Sequence, residues 1–283
     1  MEVTRTAAEA RKACDAARSS GRSVGFVPTM GAFHEGHLSL MRRARGERDT
    51  VVVSIFVNPL QFGPGEDLAR YPRDEDRDVA AAEELGVDLV FAPSVEEMYP
   101  GGEPEVTVDP GPLGDRLEGA SRPGHFRGVA TVVAKLFHVI GPSRAYFGEK
   151  DAQQLAVIRR MVLDLAYPVE VVGCPIVRER GGLAMSSRNA SLTPEQRDAA
   201  GCLFLALSEA AQMARSGEGD GAKLVAAMAR EIGATSQARL DYAAVVDEET
   251  FQEVREITRP ARAVVAARFG DTRLIDNLLL PVL

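Results

Sequence analysis

The apolar run TVVVSIFVNP, Thr50–Pro59, constrains the fold of this chain more than any other stretch. It carries no charge and is dense in β-branched side chains, which suit a pleated strand and lower helix propensity. Such a strand has no polar face to give to water, so it must be covered on both sides, as strands are in parallel sheets. A shorter apolar run, SVGFVP (Ser23–Pro28), precedes it and is stopped by a proline. Between the two, GHLSLMRRARG sets Leu38, Met41 and Arg45 along one helical face with Leu40 and Ala44 beside it, and Gly46 ends the pattern. Strand, helix and strand predict a βαβ unit with a right-handed crossover.

The alternation continues. YPRDEDRDVAAAEELG reads as a helix, VDLVFAP as a strand, GVATVVAKLFHVIG as a strongly apolar helix and SRAYFG as a strand. DAQQLAVIRRMVLDL and VEVVGCPIVRE add a further helix and strand. The pattern predicts an α/β fold, a Rossmann-like, doubly wound parallel sheet. Near Ile176 the character changes. Thr193 stands as an N-cap before Pro194, a second helix is expected at Ala222–Ile232, and LDYAAVVD, RAVVAARFG and TRLIDNLLL read as closely connected strands. The expected division is a Rossmann-like ligand-binding domain at 1–176 and a smaller α+β domain with an antiparallel sheet at 177–283.

Composition narrows the function classes. With 45% hydrophobic and 26% charged residues over 283 positions, the chain can bury the core of one large domain or two unequal ones. The formal net charge of −8, with no long basic run, argues against a nucleic-acid partner. Cys14, Cys174 and Cys202 are far apart and form no CxxC pair, so they read as reduced structural thiols of a cytoplasmic protein. No apolar stretch approaches the roughly 20 residues that span a bilayer, and the charged N-terminal stretch is not a signal peptide.

The chemistry concentrates where strands hand over to helices. PTMGAFHEGHLSLM, Pro28–Met41, places His34 and His37 where a helix begins after a strand. Exposed N–H groups and the helix dipole make that position an anion site, and Gly31 and Gly36 let the backbone approach closely. As N–H donors the two histidines could steady charge developing on phosphates. They could also merely cap and pack the helix. A zinc site would need further ligands, but only His125 and His138 remain, and HEGH is one residue short of HExxH.

Three more stretches carry polar groups in apolar surroundings. FVNPLQFGPGEDLARYPR offers Asn58 and Gln61 before a Gly-Pro-Gly loop, and buried amides of this kind read hydroxyl and carboxylate groups. They could equally satisfy a turn. In SRPGHFRGVATVV, His125 either contacts a ligand or fixes its loop, while Lys135, further along, reads as a snorkelling side chain. YFGEKDAQQL brings Gly148, Lys150 and Asp151 to a strand end, suited to close approach, to a phosphate charge and to a ribose hydroxyl; capping and solvation would explain the same residues. Beyond these, GLAMSSRNASL sets the adjacent Ser186, Ser187 and Arg188 in a glycine-led loop, a phosphate-holding arrangement or a polar linker.

PTMGAFHEGHLSL resembles the HIGH-type histidine motif of the nucleotidyltransferase superfamily. With Pro-Thr-Met-Gly ahead of the first histidine it is similar to the pantoate–β-alanine ligase (pantothenate synthetase) family. The other stretches, with DYAAVVDEETFQEV and TRLIDNLLL, extend the likeness over essentially the whole chain. The resemblance implies an ATP-dependent ligase that condenses pantoate with β-alanine through a pantoyl adenylate. It implies catalytic roles for His34, His37, Lys150 and Arg188. ATP would be met by Pro28, Met30, His34, His37, Gly148, Lys150, Asp151, Val177, Met185, Ser186, Ser187 and Arg188. Pantoate would be met by Met30, Asn58, Gln61, Tyr71, His125 and Gln154. Magnesium is implied, with Asp78 as a ligand, although Arg77 stands where the family often has a second acidic residue. A homodimer is implied, with the C-terminal domain as a lid. The alternative is an adenylyltransferase acting on a phosphorylated cofactor precursor, whose acceptor site would need extra cations. A non-catalytic nucleotide sensor is the reading from another class.

Overall fold

Residues 1–63 and 68–282 are described by the computed structural model, so Pro64 and Gly65 of the expected Gly-Pro-Gly loop lie outside the described residues. The chain divides into two units: Met1–Glu149 with Val157–Pro175, and Lys150–Ala156 with Ile176–Leu283. Lys150–Ala156, read from the sequence as part of the first domain, thus group with the second. A tertiary bond explains this: Asn277 Nδ2 donates to the Lys150 carbonyl at 2.9 Å.

In the first unit six strands form one parallel sheet. They are β1 (Glu2–Thr4), β2 (Val24–Thr29), β3 (Thr50–Ile55), β4 (Leu89–Phe91), β5 (Ser143–Gly148) and β6 (Val169–Cys174), in the order β1-β4-β3-β2-β5-β6. The direction of winding reverses between β2 and β5, the kind of switch point at which open α/β sheets bind ligands. As the apolar run demanded, β3 is covered on both faces, with Val51, Val52 and Val53 all at 0% exposure. The helix Glu35–Glu47 turns Leu40, Met41 and Ala44 into the core formed with Val27, Val51, Val53 and Tyr146.

Two strands of this sheet depart from the sequence reading. β1 has no counterpart there, because three residues with one buried side chain carry almost no periodicity, and pairing with β4 is what makes them a strand. Pro28 does not stop β2 but lies inside it, opposite Ser54. The Thr29 carbonyl accepts from Phe56 N–H on the β3 side, so the alternation of a strand turns Pro28 towards β5. There the ladder ends at Phe26, and the missing N–H of proline costs no bond.

The second unit holds an antiparallel sheet, β7 (Ala238–Asp247), β8 (Ala261–Phe269) and β9 (Thr272–Leu280), in that order. Phe269 pairs with Thr272, so Gly270 and Asp271 alone make the turn, with Gly270 in the left-handed region at φ 59°. Thr193 caps its helix through a reciprocal bond pattern with Gln196, but that helix ends at Ala199 and a second runs over Cys202–Arg215. Its alanine-rich face and the helix Gly221–Gly233 cover the sheet with Leu203, Leu207, Leu224 and Met228. Cys14, Cys174 and Cys202 are all buried and free, and burial pushes the Cys14 thiol up to about 11, away from thiolate chemistry. Among the described residues no helix is long and apolar enough to cross a membrane.

Candidate active site

The histidine segment follows β2 through a turn that two side chains build. Thr29 Oγ1 donates to the Ser54 carbonyl at 2.6 Å and accepts from Gly31 N–H at 3.1 Å. Gly31 has φ 79°, and a Cβ there would stand 2.8 Å from Asp78 Oδ2, so both conformation and space require glycine. Ala32 follows at φ 52°, a conformation that costs an alanine roughly 1–2 kcal/mol. The compensation comes from Asp78, on the helix Glu75–Glu84, whose carboxylate accepts from Ala32 N–H at 2.7 Å and Phe33 N–H at 2.8 Å. Burial pushes the Asp78 carboxyl up from its ordinary value, and the two amide donors pull it back down.

This geometry corrects the sequence expectation for Asp78. Its oxygens are turned inward onto the backbone and only 2% of the residue is exposed, so it does not fit a magnesium ligand. Among the described residues no group of three or more His, Cys, Asp or Glu is placed to hold a metal ion. Asp78→Asn should disturb the turn rather than a metal site, because an amide offers one acceptor oxygen to two N–H groups. The expected loss is about 1–3 kcal/mol in urea unfolding, with an unchanged magnesium requirement for turnover. A raised magnesium requirement at unchanged stability would restore the ligand role.

His34 caps the helix Glu35–Glu47 with its own ring. Nδ1 accepts from Gly36 N–H at 3.1 Å, and since a backbone N–H only donates, a neutral His34 carries its proton on Nε2. The His37 ring lies 4.2 Å from that of His34, centroid to centroid, and 5.7 Å from that of Phe33. Capping and anion binding are therefore compatible in His34: one nitrogen serves the helix and the other bears a donor. The positive end of the helix dipole lies at the same place.

Beyond β3, Asn58 caps the short turn Pro59–Gln61 and is 1% exposed. Its Nδ2 donates to Gln61 Oε1 at 3.0 Å and to the Gly128 carbonyl at 3.1 Å, and its Oδ1 accepts from Leu60 N–H at 3.3 Å and Tyr99 OH at 2.8 Å. Gln61 Nε2 faces Met30 Sδ at 3.0 Å, which brings Met30, Asn58 and Gln61 into one cluster. The turn presses on the helix His125–Ile140 at Gly128, where a Cβ would meet the Leu60 carbonyl at 2.3 Å. His125 fixes this loop. Arg122 donates to its Nε2 at 3.0 Å, so the proton sits on Nδ1 and goes to the Gln61 carbonyl at 2.9 Å. Tyr71 is buried and meets Phe62 edge-on. Sequence reasoning missed Tyr99, which carries no motif, and Arg122, which lay unremarked inside a quoted stretch. Lys135 reaches 5.5 Å from the Tyr99 ring centroid.

Pro28 lies in β2 and Gly148 ends β5; the expected ATP residues from Lys150 onwards belong to the second unit, as does Gln154 on the helix Ala152–Asp164. Lys150 Nζ stands 3.3 Å from Asp151 Oδ1. Val177 and Met185 face each other across a hairpin, with Met185 N–H donating to the Val177 carbonyl at 2.9 Å and Gly182 at φ 87° in its loop. Arg178, inside that hairpin, pairs with Asp276 of β9 at 2.5 Å and lies over the Phe204 ring at 4.1 Å. Ser186 caps the turn Ser187–Ser191 by accepting from Arg188 N–H, and buried Asn189 donates to Glu179 and to the Ala184 carbonyl.

A family profile described as Pantoate-beta-alanine ligase matches residues 2–279. A pantothenate synthetase of Roseiflexus sp. (strain RS-1) is 57% identical over 280 residues, 99% of each chain. The crystal structure of pantothenate synthetase from Thermus thermophilus superimposes with a TM-score of 0.91 at 54% identity, covering 98% of this chain and 99% of that one. The pantoate–β-alanine ligase of Francisella tularensis, solved in complex with beta-gamma ATP and beta-alanine, gives a TM-score of 0.80 at 34% identity over 99% of this chain and 97% of that one.

Proposed function

Because this chain belongs to the pantoate–β-alanine ligase family, we propose that it makes pantothenate in two steps through a pantoyl adenylate. It is an ATP-dependent ligase of pantoate and β-alanine. A carboxylate is a poor acylating agent. In the first step one of its oxygens attacks the α-phosphorus of ATP and diphosphate leaves. In the second, the neutral amine of β-alanine attacks the activated carbonyl, AMP leaves with the carboxyl oxygen, and the amide remains. The observation that carries this reading is the His34-capped helix at the carboxyl end of β2, within a family match over residues 2–279.

In this reading His34 Nε2–H and His37 stabilise the charge that builds on the phosphates in the first step. Lys150 and Arg188 supply cations to the same phosphates, and Gly148, Asp151, Val177, Met185, Ser186 and Ser187 complete the ATP contacts with Pro28 and Met30. Gln61, Gln154, Met30 and Tyr71 hold pantoate. The part played by the protein is placement and charge neutralisation, with no covalent enzyme intermediate. Asp78 serves the turn and not a metal, so the magnesium of this reading would be held by phosphate oxygens and water. A cytoplasmic homodimer belongs to the same proposal and is supported by the family alone.

The buried amides of Asn58 and Gln61 disfavour an adenylyltransferase acting on a phosphorylated acceptor, which would need cations there. The two separate experimentally. Pantoate should drive exchange of labelled diphosphate into ATP without β-alanine, because the adenylate forms and reverses on its own. No exchange, with full synthesis once β-alanine is added, would sink the two-step mechanism.

A further inference from the structure

The four hydrogen bonds of Asn58 have directions that their partners leave no room to change. Leu60 N–H can only donate, so the atom facing it at 3.3 Å must be the side-chain oxygen. The Gly128 carbonyl can only accept, so the atom facing it at 3.1 Å must be the nitrogen. The Tyr99 hydroxyl, 2.8 Å from that oxygen, then donates, and the second hydrogen of Nδ2 goes to Gln61 Oε1 at 3.0 Å. An asparagine side chain offers two donors and two lone pairs. All are used, inside a residue that is 1% exposed.

From this we infer that Asn58 is a positioning residue, held by Tyr99, that locks the Gln61 amide with its donor Nε2 outward, so that the pantoate subsite accepts an oxygen and refuses an ammonium. The outward amide faces Met30 Sδ at 3.0 Å, and a thioether is a weak acceptor that a substrate oxygen readily replaces. A glutamine free to turn over could greet either a donor or an acceptor; a locked one cannot. That matters for a ligase whose two substrates are both small carboxylates. Pantoate has hydroxyl and carboxylate oxygens that accept, whereas the ammonium of β-alanine only donates. The lock therefore refuses β-alanine with its ammonium at this point, where only an accepting oxygen meets the Gln61 donor. The inference rests on the proposal that Gln61 holds pantoate.

Steady-state kinetics of the full-length protein test it. Gln61→Ala should raise the KM for pantoate and leave that for ATP unchanged. Tyr99→Phe keeps the ring against Phe56, 6.0 Å away between centroids, and removes only the hydroxyl. It should raise the KM for pantoate about threefold to fivefold, with kcat and the KM for ATP unchanged, and should add nothing in the Gln61→Ala background. Asn58→Asp cannot donate to Gln61, so the glutamine turns its oxygen outward and β-alanine becomes an inhibitor competitive with pantoate. Gln61→Glu puts an acceptor at the same point without touching Asn58 and should show the same inhibition even where Asn58→Asp does not fold. A Tyr99→Phe effect that persists in full in the Gln61→Ala background, or no competition by β-alanine in Gln61→Glu, overturns the lock while leaving Gln61 as a pantoate contact. If Gln61→Ala does not change the KM for pantoate, the reading of Gln61 fails and the lock with it.

Discussion

His34→Asn should leave the protein folded and the first chemical step all but lost. Asparagine is among the best N-cap residues, so the bond now made by the His34 ring to Gly36 N–H is replaced, and the melting temperature should scarcely move. The donor on Nε2 has no equivalent in the shorter amide. Loss of one such donor to developing charge costs about 10²–10³ in rate, read as pantoate-dependent ATP–diphosphate exchange. His34→Ala should show the same kinetic loss and a further cost of about 1 kcal/mol in unfolding free energy from the missing cap. The pair of variants separates the two jobs of one ring. Exchange at wild-type rates in His34→Asn would make the histidine a cap and nothing more.

Arg178→Ala is expected to have the largest effect on stability. It strands the Asp276 carboxylate, whose side chain is 1% exposed, while the arginine is 16% exposed. Removing one partner of a buried pair costs about 3–5 kcal/mol, chiefly because the other charge stays buried alone. The same guanidinium donates to the Gly182 carbonyl at 2.9 Å and covers the Phe204 ring, so the hairpin that carries Met185 and leads to Arg188 loses its anchor. Urea unfolding should show the stability loss and half-saturation by ATP should rise with it. Replacing both partners, Arg178→Met with Asp276→Leu, should recover much of the stability because no buried charge is left. A double variant no more stable than Arg178→Ala would mean that the pair contributes through the hairpin rather than through the stranded charge.

Much of the fold was legible because it rests on local pattern. The run at Thr50–Ile55 could only be a strand covered on both faces, and Thr193 with Pro194 marked a helix start that the structure keeps. β1 escaped, since its identity as a strand comes from β4, more than eighty residues away in the sequence. The site divides along the same line. The place of His34 and His37 at a helix start followed from the strand before them and the glycines around them, and the family likeness followed from the motifs in order.

The working parts of the polar groups were decided in three dimensions. Asp78, implied by the family likeness as a magnesium ligand, supports the turn before His34, 46 positions from the Ala32 N–H group it holds. His125, left open between ligand and loop, has both ring nitrogens engaged, one of them on the Gln61 carbonyl 64 positions away. Asn58 takes its orientation from Leu60 beside it and from Tyr99 and Gly128, 41 and 70 positions distant. What the sequence by itself determined was which segments are buried and which chemistry the motifs belong to, because burial follows from the side chains of a segment alone. Whether a given amide, imidazole or carboxylate meets substrate or holds the frame depends on which donor or acceptor the fold brings to it, and only the tertiary structure decided that.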